Sequence, residues 1–121
     1  MAEVKGAREN TAQQAEPTRT VTWRDMKAGD VGSAQMVSAF AERSVQVAGE
    51  FGAKLGAKVL IEGSIDDKTF HLLNDPHGVP LELAYAGIHS ISQRVVSIRP
   101  RIVGGDDTTK LSVVLLAGRF A

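Results

Sequence analysis

From Thr20 onward, apolar side chains recur at every second position in short runs that glycine and Asx-rich segments interrupt, and this rhythm limits what the chain can become. A two-residue period sends alternate side chains to opposite faces of an extended strand, whereas a helix would scatter the same residues around its circumference. In SVQVAGEF (44–51), Val45, Val47 and Phe51 share one face and Gln46 and Glu50 the other, with Gly49 a weak or bulged point. AKVLIEG (57–63) sets Val59 and Ile61 against Lys58, Leu60 and Glu62. RVVSIRPRIV (94–103) aligns Val96, Ile98, Pro100 and Ile102, and Pro100, which has no N–H to donate, belongs at an edge or a bulge. KLSVVLLAGRF (110–120) alternates Leu111, Val113 and Leu115, while Val114 and Leu116 make its second face apolar as well.

TVTWRD (20–25), TFHLLND (69–75) and LELAY (81–85) complete a set of about seven or eight strands, joined by turn-rich segments such as GSIDDKT, NDPHGVP and VGGDDTTK. Regular spacing of this kind predicts an all-β, antiparallel sandwich or barrel. SAQMVSAFAERS (33–44) is the one stretch with some helical spacing, at Met36, Val37 and Phe40, and an irregular strand fits it equally. Residues 1–19 carry Val4 as their one large aliphatic besides Met1, too little to offset the entropy of ordering on their own. They read as an extended or flexible N-terminal arm in front of a β-domain, sandwich or barrel, at 20–121.

The chain is 121 residues long, enough for one core, and its 14 basic and 14 acidic side chains cancel. No overall field draws it to nucleic acid or to a charged membrane. There is no cysteine, so disulfides and thiolate chemistry are excluded and packing alone must hold the fold. No apolar run reaches the roughly 18 residues of a membrane span, and no basic segment leads into an apolar one at the N-terminus, so the chain reads as soluble and unexported.

The candidate reaction centres have simpler explanations in turn chemistry. Asp66 and Asp67 sit side by side between two strands, where a calcium loop would space its acids at alternate positions. Asp and Asn accept backbone hydrogen bonds in tight turns, and Asp106 and Asp107 after Gly104 and Gly105 repeat the arrangement. His71, His77 and His89 lack the close spacing of a helical zinc motif, no serine lies in a G-x-S-x-G elbow, and no glycine-rich loop precedes a helix. No cofactor, metal site or catalytic residue is expected.

Contact chemistry is better represented. Arg99 and Arg101 stand two apart on one strand face, where planar guanidinium forks can meet carboxylates of a partner. Trp23 has the area of an interface anchor. The six aromatics are too few for a nucleic-acid or sugar platform built on stacking.

The succession VTWRDMKAGDVG, AFAERSVQVAGEFG, VLIEGSIDDKTFHLLNDPHGVPL and IRPRIVGGDDTTKLSVVLLAGR resembles the head decoration, or cement, proteins of tailed phages over residues 20 to 119. The resemblance implies a jelly-roll-like β-sandwich without catalytic residues. It also implies a virion protein, made in the host cytoplasm, that binds the outer surface of the capsid and staples neighbouring major capsid protein subunits. Many identical weak contacts on a symmetric shell add up through multivalency, and the apolar second faces of the 59–62 and 111–116 strands predict a homodimer or homotrimer. The alternative is a carbohydrate- or receptor-binding β-sandwich module.

Overall fold

The structure, a computed structural model, describes the backbone of residues 3–10 and 18–118 and the side chains of 3–7 and 18–118. The rest of the predicted arm, and the last three residues of the predicted domain, lie outside the described residues. There are twelve strands and no helix among the described residues. The strands are β1 (Glu3–Val4), β2 (Ala7–Asn10), β3 (Thr18–Met26), β4 (Val31–Gly32), β5 (Gln35–Met36) and β6 (Glu42–Glu50). They continue with β7 (Ala57–Ser64), β8 (His71–Leu72), β9 (Glu82–Leu83), β10 (Gly87–Ser90), β11 (Ser97–Gly104) and β12 (Lys110–Gly118).

Two sheets stack into a jelly-roll-like antiparallel β-sandwich. One runs β1-β4-β11-β7-β8, with β5 also against β11 and β9 also against β7; the other runs β10-β6-β12-β3-β2. The pairings are antiparallel except β1 with β4. The long central strands are those whose two-residue rhythm is strongest. Val45 and Val47, Val59 and Ile61, Ile98 and Ile102, and Leu111, Val113 and Leu115 all point inward and are buried. The sandwich interior is therefore the sum of the inward faces, as the pleat requires.

Pro100 lies within a central strand, opposite Ile61 of β7. Its position is nevertheless an interruption. On the other side of β11, Ser97 and Ile98 pair with β5 and Arg101 pairs with β4, which leaves Pro100 without a partner there. The Ile102 N–H donates to Asp30 O on that same side, so by alternation the missing Pro100 donor falls in the gap between β4 and β5. The edge the sequence asks for is local: two short strands with a break between them.

Two stretches whose form the sequence left open contain strands. The 33–44 stretch forms the two residues of β5, a turn, and the start of β6; Val37 N–H donates to Val96 O, so pairing with the opposite chain segment outweighs the weak helical spacing. Within the first 19 residues, Glu3–Val4, Ala7–Asn10 and the first two residues of β3 are in strands on the sandwich itself. Val4 packs on the core and its carbonyl accepts from Ser33 N–H at 2.7 Å, and Ala7–Asn10 extend the second sheet against Arg19–Thr22.

Candidate functional site: docking surfaces

The acids of the turns are held by hydrogen bonds from nearby backbone N–H groups and hydroxyls. Asp66 Oδ1 accepts from Ser64 Oγ at 2.8 Å, Lys68 N–H at 2.9 Å and Thr69 N–H at 2.8 Å, bonds that hold its carboxyl down at about 2. Asp67 takes the left-handed conformation, φ 60°, and accepts from Ser97 Oγ at 2.7 Å. Asp106 ties two loops together: Oδ1 accepts from the hydroxyl and N–H of Thr108, and Oδ2 accepts from Lys54 N–H at 2.7 Å and Leu55 N–H at 2.9 Å, so its pKa falls far below the usual carboxylate range. Among the described residues, no three of the His, Asp and Glu side chains gather as a metal set would.

Arg99 and Arg101 share the outer face of β11, as their spacing requires. Both already have a carboxylate: Arg99 Nε lies 3.0 Å and Arg101 Nε 3.2 Å from the same Glu62 Oε1 on β7. Arg99 also stacks over Phe70, 3.9 Å from the ring centroid. A partner's acid at this place would compete with one already bound. Trp23 is 1% exposed, inward beside Val21 on β3, and its Nε1–H donates to Ser33 O at 3.1 Å. Its large area is used in the core, which leaves it no face for a partner.

The outer face of the second sheet has the opposite character. Thr20, Thr22, Ser44, Gln46, Val114 and Leu116 are neighbours in register across β3, β12 and β6, and none is charged. Ile88 of β10 joins them opposite Gln46, and a shallow groove of about 280 Å³ runs between Ile88 and Leu116. Ile88 is 71% exposed and Leu116 43%. The apolar second face of the 111–116 strand is thus real and uncovered by the other described residues, and isolated alternation had already marked Val114 and Leu116.

Among the described residues, β10 is an open edge of this face. The Ile91 N–H donates to Arg43 O at 3.0 Å, so odd-numbered residues of the segment bond to β6 and the backbone groups of Ile88 and Ser90 point away from it. From Leu83 to Gln93 there is no Asp, Glu, Lys or Arg, and Tyr85 is 82% exposed. Edge strands are ordinarily blunted with charge, proline or a bulge. Sequence reasoning missed this edge, although the absence of charge from 83 to 93 was readable as a signal.

No protein-family model matches the chain, and no curated protein matches it. Among solved structures, YomS, a protein derived from the SPBc2 prophage, aligns with a TM-score of 0.60 at 9% identity, covering 84% of this chain and 94% of that one. A cupin domain from Bordetella pertussis Tohama I aligns at 0.47 with 12% identity over 99% of both chains. The IMPa metallopeptidase in complex with T-antigen aligns at 0.45 with 11% identity, covering 96% of this chain and 14% of that one. The likeness to YomS is one of fold: the two share a β-sandwich architecture.

Proposed function

We propose that this chain is a non-enzymatic structural protein of a tailed-phage virion, which decorates the capsid exterior and staples neighbouring major capsid protein subunits. The observation that carries the reading is the uncharged patch at the centre of the second sheet's outer face, Thr20, Thr22, Ser44, Gln46, Val114 and Leu116, continuous with the edge of β10. Such a surface suits protein contact and offers no reaction chemistry. The prophage origin of YomS, a protein of the same fold, is in keeping with a phage role.

Self-association uses the β10 edge. A two-fold axis at Ile88 sets β10 antiparallel to its copy, extends the five-stranded sheet through the dimer and joins the two uncharged patches. No like charges meet across the axis because the segment carries none. The doubled face then lies on the coat subunits.

Co-sedimentation with empty shells of the major capsid protein encoded in the same genome tests this reading. Saturable binding at a fixed ratio to coat subunits, with shells that resist heating better, is the expected result. An absence of binding, or binding unchanged by Leu116→Asp, overturns it.

The exposed Tyr85, beside a shallow depression of about 310 Å³ bounded by residues 82–89, favours a second reading as a carbohydrate- or receptor-binding module. Glycan-array binding that Tyr85→Ala abolishes would establish it.

A further inference from the structure

Arg43 occupies an inward-facing position on β6, in line with Val45 and Val47, and is 4% exposed. Its Nε is buried without a hydrogen-bond partner, and no ion pair of the described residues reaches its guanidinium. A buried cation without a paired acid is costly, and proteins rarely leave one so. Burial pushes this guanidinium below its ordinary pKa; Arg94 adds to that push, and Glu42 opposes it. Arg43 lines an open cavity of about 240 Å³, together with Arg94, Ser38, Phe40, Ile65 and Val95. Among the described residues, no acidic side chain lines it. Arg19 closes the same end of the sandwich: it flanks Ala117 on the side opposite Arg43, donates to Met36 O at 3.2 Å and covers the Phe40 ring at 5.2 Å.

We propose that Arg43 and Arg94 form a binding site for a carboxylate group. The planar fork of a guanidinium matches a carboxylate, and Ser38 adds a hydroxyl at the rim. The apolar walls, Phe40, Ile65 and Val95, suit the short methylene stem that carries such a group. The cavity volume lies below the roughly 300 to 1,000 Å³ of pockets for larger small molecules, so it takes a group of side-chain size. Two sources offer this chemistry, a Glu or Asp side chain of a docking polypeptide and a free short diacid. The site stands independently of the capsid reading, because its test uses the isolated protein.

The test is a titration of nitrogen-15-labelled protein with glutarate, with N-acetyl-glutamate N-methylamide, and with the corresponding capped glutamine. The Arg43 Nε–H resonance and the thermal midpoint are followed. Either acid should shift the resonance saturably and raise the midpoint, and the capped glutamine should do neither. Arg43→Met should weaken binding by at least about tenfold. Its midpoint without ligand should equal or exceed that of the original protein, because an uncompensated buried charge is gone. Arg94→Gln, at an exposed position that leaves the core intact, should weaken binding by about fivefold. Tighter binding of the capped glutamate points to a polypeptide source, and tighter binding of glutarate to a free diacid. The proposal is overturned if neither acid saturates or if the capped glutamine acts like the acids. It is also overturned if Arg43→Met keeps the acid response, or if Arg94→Gln leaves the affinity unchanged.

Discussion

Gly32 passes so close over the ring of Pro100 that a Cβ at position 32 would lie 2.6 Å from Pro100 Cδ and 2.8 Å from Trp23 Cδ1. The three residues form one layer: the strand break beside Pro100, the glycine that covers it, and the buried indole. Neither the proline ring nor the indole can swing away without moving backbone or core. Gly32→Ala should therefore destabilise by about 2 kcal/mol, the scale of overpacking. Gly56, with open space around it, is the control, and Gly56→Ala should stay within about 0.5 kcal/mol of the original protein. Denaturant unfolding compares the two; equal midpoints would show that the layer is not tight.

The Arg99–Glu62–Arg101 arrangement predicts a modest electrostatic effect. Glu62 is 13% exposed and the arginines 24% and 30%, so the pairs are partly shielded from solvent. Glu62→Gln leaves two guanidinium groups facing each other without the carboxylate between them. The expected loss is about 1 kcal/mol at low ionic strength, at the upper end for pairs open to water. It should shrink at about 1 M salt, where screening acts over about 3 Å. A loss that salt does not change would assign Glu62 a packing role instead.

The core was legible where strands alternate without interruption, since burial of one face follows directly from the pleat. Val59 and Ile61, or Ile98 and Ile102, needed no knowledge of their neighbours in space. Trp23 was harder to place because area alone suits both a core and an interface; its parity with Val21 carried the answer. The order found in Glu3–Val4 and Ala7–Asn10 was not legible, because it comes from ladder bonds to distant strands and not from local apolar content. Arg43 shares the parity of Val45 and Val47, and that parity was the one sign of its burial. The exposed edge of β10 depended on the order of strands in the sheet, which no local pattern encodes.

Acid should unfold the protein through its turns. Asp66, Asp75 and Asp106 all have pKa values depressed in the folded state by hydrogen bonds to their carboxylates. A depressed carboxylate contributes stability that is fully present above its unfolded pKa and disappears as pH falls through its folded one. For Asp66 that window runs from 3.8 down to about 2. Thermal midpoints should be flat above about pH 5 and fall steadily below about pH 4. Asp106→Asn should lower the plateau and flatten the acid limb, because Asp106 joins the 53–55 loop to the 106–109 turn through its carboxylate. A variant with the original acid slope would show that the proton uptake lies elsewhere.

The edge of β10 gives the sharpest test of self-association. The Ser90 N–H points away from β6, so a proline there removes a donor from the outer side of the strand while the ladder to β6 keeps its bonds. Ser90→Pro should therefore abolish the proposed dimer in sedimentation velocity and leave the β-spectrum in place. Ile88→Lys tests the same axis by another route. The side chain lies beside the uncharged patch, opposite Gln46, and the proposed two-fold brings position 88 opposite its own copy, so the substitution sets two ammonium groups side by side. The resulting monomer should return toward dimer at high salt, where the repulsion is screened, whereas the proline variant should stay monomeric at every ionic strength. This difference separates a missing hydrogen bond from a charge clash at one interface. If both variants remain dimeric, the copies meet elsewhere, and the uncharged patch must be tested without the β10 axis.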